Sequence, residues 1–457
     1  MTTLRSPEAT TADDPRTSRR TMRRVAVASC AGTTIEFYDF FIYGTAAALV
    51  FPSLFFSAFG EKASVVVSFA TFGVAFLARP LGAVIFGHFG DRIGRKKTLI
   101  WTLLLMGIAT VLIGLLPDAK MVEHFGLPNL AWAPGLALVI LRICQGLAVG
   151  GEWAGATLLA AEYAPPKQRG LYAVFPQVGP AIAFFLSSGT FLTTNLIMGD
   201  ENPAFLTFGW RVPFMLSALL VIVGLWVRVS IDETPMFKAQ ASERASDDRP
   251  TGERPPLLGA IVSQPKEVLL GGGALTMLFC FFYMGTAFLT SYGSKSMGLS
   301  RPLVLAIGMG AAVVFAASIT FAGIYSDRIG RRKMILISCV VAIPWGFVLF
   351  MILGANTPLA FALGLMGTLA IFGLSYGPAG AFLPEAFDTK YRYTGAGMAY
   401  NLAGVLGGGV APLVAASMSS PTHIGYMMAG IGVFSLICTV LMAETRHRKM
   451  AEGLLTQ

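Results

Sequence analysis

Charge is scarce in this 457-residue chain. Only 13% of its residues are Asp, Glu, Lys or Arg, while 54% are hydrophobic and the mean hydropathy is +0.66. That balance excludes an ordinary soluble globular domain. Cysteine is scarce too: Cys30, Cys144, Cys280, Cys339 and Cys438 all fall inside apolar runs, without the paired spacing of a metal site or disulfide framework. They read as small packing residues. The four histidines, His88, His124, His423 and His447, are scattered. There is no glycine-rich nucleotide loop, no cluster of metal ligands and no nucleophile placed beside a base, so the sequence predicts no enzyme, no metal and no cofactor.

What the chain does have is apolar runs of membrane-spanning length. A helix needs about 20 apolar residues to cross a hydrocarbon core, and twelve candidates lie near 26–51, 64–89, 98–117, 135–161, 171–196, 210–229, 268–292, 302–326, 334–354, 358–386, 395–419 and 424–443. An all-α, polytopic protein of the lipid bilayer follows. Of the 34 Lys and Arg, 27 fall on one side of this pattern, five on the other, and two, Arg79 and Arg142, within the runs. The positive-inside rule then predicts both termini in the cytoplasm of a cell whose plasma membrane the chain crosses repeatedly. With the bases explained by topology, nucleic-acid binding is not expected. Residues 1–25 carry Arg16, Arg19, Arg20, Arg23 and Arg24 without an apolar core, and read as a disordered basic tail and not a signal peptide.

The longest internal polar stretch, 231–267, divides the spans six and six. Two bundles result, 26–230 and 268–443, with a short tail at 444–457. An internal repeat supports the division: "GHFGDRIGRKK" at 87–97 and "GIYSDRIGRRK" at 323–333 align without gaps, each between the second and third span of its half. A second echo follows the fourth spans, where Glu162 precedes Arg169 and Glu385 precedes Arg392 by seven residues. Two related six-helix bundles facing one another is the plan of transporters built from parallel repeats.

Charges inside the spans are concentrated in the first half. Glu36 and Asp39, in "GTTIEFYDFFIYG", are three residues apart and share a helix face. Counted inward from the predicted cytoplasmic edge, Glu36, Asp39, Arg79 and Glu152 all fall near the same mid-membrane level, with Arg142 closer to the other side. A charge there costs about 2.5–3.5 kcal/mol on insertion scales, so these groups are expected to face a cavity or one another. Three acids against two bases leave one negative charge that a single proton would neutralise. The alternative is that the charges only lock helices together.

The repeated loop resembles the signature loop of the major facilitator superfamily. That resemblance implies alternating access by rocking of the halves, Asp91 capping a helix of the opposite half, and Arg95 pairing with Glu162 as a cytoplasmic latch. Arg92, Arg169 and the second-half set Asp327, Arg328, Arg331, Glu385 and Arg392 complete that gate. The wider set "IEFYDFFIYG", "FLARPLGAVIFGHFGDRIGRKK", "LRICQGLAVGGEWAG", "WRVPF" and "DETPMF" resembles the metabolite:proton symporter family, nearest its shikimate-permease branch through "YGTAAALVF", "FATFGVAFLARPLG" and "YRYTGAGMAY". By resemblance, Asp39 matches a proton-binding aspartate and Arg142 its partner, with Glu36 or Asp39 carrying the proton. Arg79 is the expected anchor for a substrate carboxylate, since a guanidinium binds it bidentately. Glu152, Gln145 and Tyr43 join it from the first half, and Tyr283, Tyr376 and Asn401 from an otherwise neutral second half.

The function implied is import of a small organic anion with a proton by a single chain. Three alternatives are weighed. A zwitterionic compatible solute such as proline or betaine would suit the same family, though the chain lacks a coiled-coil tail after residue 443. Drug efflux finds a partial Gly-Pro motif in "QVGPAIAF", flanked by bulky Phe175 and Phe184. A non-transporting sensor would have lost the embedded charges, and they are present.

Overall fold

A computed structural model describes residues 15–93, 95–150, 157, 168–199, 204–230, 263–388 and 391–446. Among them are twelve long helices, α1 (Pro15–Leu49), α2 (Glu61–Ile93), α3 (Arg95–Leu115), α4 (Ala133–Val149), α5 (Arg169–Met198) and α6 (Val212–Ser230) in the first half. The second half holds α7 (Pro265–Lys295), α8 (Arg301–Ile329), α9 (Arg331–Leu353), α10 (Pro358–Ala386), α11 (Arg392–Ala403, then Gly404–Val410 and Ala411–Ser417) and α12 (Pro421–Leu441). Ten are long and apolar enough to cross a membrane; α3 contributes a shorter apolar stretch, Ile100–Leu115, and α1 carries its apolar part behind a basic start.

The helix ends follow local chemistry. Proline stands in the first turn of α4, α7, α8, α10 and α12, where a missing N–H costs nothing. Thr357 accepts from the Ala360 N–H at 3.2 Å and caps α10. Gly330, between α8 and α9 in the second copy of the repeated loop, has φ +111°, and a side chain there would also meet the Glu444 carboxylate. One expectation is corrected here. The basic segment before residue 26 is helical from Pro15 onward, because Arg and Met are good helix formers and extending an existing helix avoids the cost of nucleation.

The outer faces are apolar. Leu77, Trp101, Leu219, Trp226 and Met351 are exposed, whereas Glu36, Asp39, Arg79 and Arg142 are buried. This distribution suits a chain solvated by lipid. Small residues let backbones touch inside each half: Gly146 leaves no room for a Cβ against the Ala75 carbonyl, nor Gly150 against that of Arg79, so α2 and α4 cross backbone to backbone. The halves meet at both ends of the helices. At the end where α1 begins, the terminal face, Gln177 Nε2 donates to the Tyr376 carbonyl and Asn401 Nδ2 to the Gly150 carbonyl, at 2.8 and 2.9 Å. At the far face Lys62 Nζ donates to Ser419 Oγ at 2.8 Å and Ser291 Oγ to the Ala48 carbonyl at 3.4 Å.

The α2–α4 crossing yields a stability test. Gly146→Val drives a branched side chain into backbone, and overpacking of this kind costs about 1–3 kcal/mol or more. We expect loss of the monodisperse peak in detergent size-exclusion chromatography, while Gly430→Val, where no atom lies within 4 Å of the added Cβ, elutes as the native protein does.

Candidate functional site

A cavity lies between the halves. Glu36, Phe37, Arg79 and Gly150 form its wall on one side, and Gly397, Tyr400 and Asn401 on the other. Arg79 is 2% exposed, and its guanidinium carbon rests 4.4 Å from the Phe40 ring centroid and 4.5 Å from that of Phe76. Arg142, 0% exposed, lies 4.2 Å from the same Phe40 ring and 4.0 Å from that of Tyr43. Its helix position, beyond the Gly146–Ala75 contact and beside Phe72, is nearer the far face, as expected from the sequence; the two arginines nevertheless converge on one phenyl ring. Aromatic faces are attractive surfaces for a cation that water cannot reach.

Behind the arginines stands Asp39, 1% exposed. Ser217 Oγ of α6 donates to its Oδ1 through a short hydrogen bond, and Thr110 Oγ1 of α3 donates to Oδ2 at 2.8 Å. Gln145 Nε2 donates to Thr110 Oγ1 at 2.7 Å, and Arg142 Nη1 donates to Gln145 Oε1 at 2.9 Å. Asp39 and Arg142 are thus joined through two neutral side chains, with no ion pair between them among the described residues.

The remaining expected residues fall as follows. Tyr43 donates to Thr71 Oγ1 at 2.7 Å and turns its ring to Arg142, so it supports the arginine and does not line the cavity. Gln145 likewise belongs to the Asp39 chain. Tyr283 is packed between Phe76 and Phe282, with ring centroids 4.9 and 4.7 Å away, and Tyr376 stacks on Phe372 at 4.8 Å. Asn401 lines the cavity and closes it at once. Glu152 lies outside the described residues.

A charged cluster at the terminal face is built from the second copy of the repeated loop. Asp327, at the end of α8, accepts from the Gly170 and Leu171 N–H groups at 3.0 Å each, capping α5 of the opposite half. Negative charge is favoured there by the helix dipole and by free N–H donors. Arg331 pairs with Asp327 at 2.7 Å and with Glu385 at 3.6 Å, and Arg169 reaches Glu385 at 3.9 Å. Arg392 Nε donates to the Pro384 carbonyl at 3.0 Å, whereas Arg328 is exposed and offers its carbonyl to Arg446. Asp91 and Arg92 end α2 and Arg95 begins α3, but their side chains, like Glu162, lie outside the described set.

Sequence reasoning missed four participants. Thr110, Ser217 and Gln177 are neutral residues in apolar runs and carry no signal. Glu444 accepts from the Arg331 N–H at 2.9 Å and caps α9. It was findable, since a Glu-Thr pair follows the last helix of each half, at 233–234 and 444–445.

Two six-helix bundles that bury charge around a cavity between them define a multi-pass membrane transport protein, not an enzyme. The chain belongs to the Major Facilitator Superfamily, whose pattern it matches over residues 30–412. It is 42% identical over 436 residues to the inner membrane metabolite transport protein YhjE of Escherichia coli K12, covering 93% of this chain and 95% of that one. Identity to the shikimate transporter of the same organism is 37%, over 96% of both chains. The proline/betaine transporter of Escherichia coli K12 is 31% identical over 94% of this chain and 85% of its own. In three dimensions the chain matches the crystal structure of a D-xylose-proton symporter with a TM-score of 0.71 at 18% identity, over 93% and 99% of the two chains, a likeness of fold. The protein resides in the inner membrane.

The bridge from Asp327 to α5 can be tested directly. Asp327→Asn removes the charge from two hydrogen bonds that span the halves, each worth about 1.5–3 kcal/mol when charge-assisted. We expect a single cysteine introduced at Gly397 to react with a membrane-permeant maleimide about tenfold faster in Asp327→Asn than in the native background.

Proposed function

We propose that the protein imports a small organic acid anion together with a proton, by alternating access of the cavity between its two bundles. The observation that carries this reading is the buried Arg79 guanidinium in the cavity wall, a fixed cation facing neutral Tyr400 and Asn401. A carboxylate of shikimate-like, dicarboxylate or aromatic-acid type satisfies that cation bidentately, and the neutral wall suits hydroxyl or ring groups. Glu36 shares the cavity and tunes the arginine or contacts a substrate hydroxyl. Asp39, a carboxylate enclosed by Thr110 and Ser217 and linked to Arg142, is the proposed proton carrier. The similarity to the shikimate transporter supports an organic acid, and the named proton symporter of the same fold is consistent with the coupling. The bias of 27 basic residues to one side supports cytoplasmic termini, which makes the latch of Asp327, Arg331 and Glu385 a cytoplasmic gate. One chain carries the whole pathway, so a monomer suffices.

The deciding experiment is uptake into proteoliposomes of labelled shikimate, α-ketoglutarate, citrate, protocatechuate, proline and betaine, with an imposed inward proton gradient and with the gradient collapsed. One acid accumulates only with the gradient, Arg79→Ala abolishes its uptake, and Asp39→Asn loses accumulation while retaining counterflow exchange. Transport confined to proline or betaine, or accumulation indifferent to the gradient, would reject the reading.

A further inference from the structure

The hydrogen bonds behind the arginines have directions that chemistry dictates. Arginine can only donate, so Gln145 must turn its oxygen to Arg142 and its amide nitrogen to Thr110. Thr110 Oγ1 therefore accepts from Gln145, and its one hydrogen remains to be placed. Two acceptors stand at nearly equal range, Asp39 Oδ2 at 2.8 Å and the Met106 carbonyl at 2.9 Å. Ser217 holds the other carboxylate oxygen in either case. The charged or titratable groups facing Asp39 are Arg142, through this chain, and Tyr38, whose hydroxyl is engaged by the Pro213 carbonyl and Thr190.

We propose that Thr110 is a two-position hydroxyl switch that reports the protonation of Asp39 through Gln145 to Arg142, and so couples proton binding to anion binding. With Asp39 ionised, the Thr110 hydrogen points to Oδ2. When a proton passes from a hydronium ion of the solvent to Oδ2, the new O–H donates to Thr110, whose own hydrogen rotates to the Met106 carbonyl; an O–H bond of the hydronium breaks as the one at Oδ2 forms, and the Thr110 O–H stays intact. Both states leave every polar atom of the Asp39–Thr110 pair satisfied. The switch alters Thr110 as an acceptor: donating to a carboxylate makes its oxygen the stronger acceptor for Gln145, and accepting from the acid weakens it. Protonation thus loosens the hold of Gln145 on Arg142. Arg142 has Nε and Nη2 without hydrogen-bond partners among the described residues and shares Phe40 with Arg79 beside the cavity. Loosened, it is drawn to an anion held by Arg79, and by linkage the anion favours the proton equally. Thr110 and Gln145 are positioning residues in this scheme, which rests on the proposed organic-anion symport.

The test has two arms. Infrared difference spectra of the purified protein across a pH step contain a protonated-carboxyl band assigned to Asp39 by its loss in Asp39→Asn. That band shifts in Thr110→Val, regains its native frequency in Thr110→Ser, and shifts in Gln145→Leu, which reaches Asp39 only through Thr110. No Asp39-dependent band, a band unmoved in Gln145→Leu, or equal shifts in the Ser and Val variants overturns the switch. In proteoliposomes, the ratio of gradient-driven accumulation to exchange of labelled shikimate falls about tenfold in Thr110→Val and recovers in Thr110→Ser; an unchanged ratio in Thr110→Val overturns the coupling. Should the native protein accumulate another acid of the uptake panel in place of shikimate, that acid is used in this arm; should it accumulate none, the organic-anion reading fails, and the infrared arm alone decides the switch.

Discussion

Two guanidinium groups share one phenyl ring at the centre of this protein, and the first bundle is arranged around that contact. An arginine inside a membrane protein is costly, and Arg79 and Arg142 are both buried. The faces of Phe40, Phe76, Tyr43 and Phe72 replace hydration, each such contact worth about 2 kcal/mol when desolvated. Placing those rings requires α1, α2 and α4 to approach closely, which explains why glycines at 146 and 150 sit where α4 crosses α2. The aromatic cluster continues across the interface, where Tyr283 of α7 meets Phe72 and Phe76 at 5.3 and 4.9 Å. Movement of one half against the other must therefore disturb the surface that holds the charges.

The halves divide the work. The first bundle buries Glu36, Asp39, Arg79 and Arg142 in the interior of its helices, whereas the second presents glycine, tyrosine and asparagine to the cavity and keeps its buried carboxylate, Glu385, at the terminal face. Asp327, Glu385, Arg169 and Arg331 contribute equal numbers of each sign, so this buried network is neutral as a set. Opposite charges held together in this way offset part of the cost of taking each of them out of water. Gln177 and Asn401 add a symmetrical element, each an amide of one half donating to a carbonyl of the other.

The twelve helices were legible because the membrane demands length and hydropathy that few other structures show. The repeated loop was legible because its charges stand out against an apolar background, and Asp327 meets α5 in the manner inferred for its counterpart Asp91. Rotation about a helix axis was not legible. Tyr43 and Gln145 lie on the right helices, yet their side chains serve Arg142 and Asp39 and do not face the cavity, and a turn of some tens of degrees separates those roles. Thr110 and Ser217 were invisible because a hydroxyl in an apolar helix most often bonds its own preceding turn, as Thr286 does with the Phe282 carbonyl at 2.8 Å. The helical start of α1 was hidden for the opposite reason, since helix extension needs no apolar pattern.

The two closures between the halves differ in kind. Across the terminal face the halves are held by buried or half-buried groups: a carboxylate on two backbone donors, the Arg169–Glu385 ion pair and two amide bonds. At the far face the polar contacts between the halves, among the described residues, are an exposed lysine–serine contact and one hydrogen bond of 3.4 Å, beside apolar packing of Phe69 on Phe288 and of Gly73 against the Gly409 carbonyl. Exposed polar contacts contribute little because water competes for both partners, while buried charge-assisted bonds contribute about 1.5–3 kcal/mol each. Opening to the terminal face requires the buried set to come apart, and a bound ligand can favour that state only through contacts it makes better there. Arg79 and Asn401 sit where such a difference can arise, one holding charge in the cavity wall and the other closing the cavity with its own amide. A ligand group that competes for the Asn401 amide weakens the closure by the act of binding.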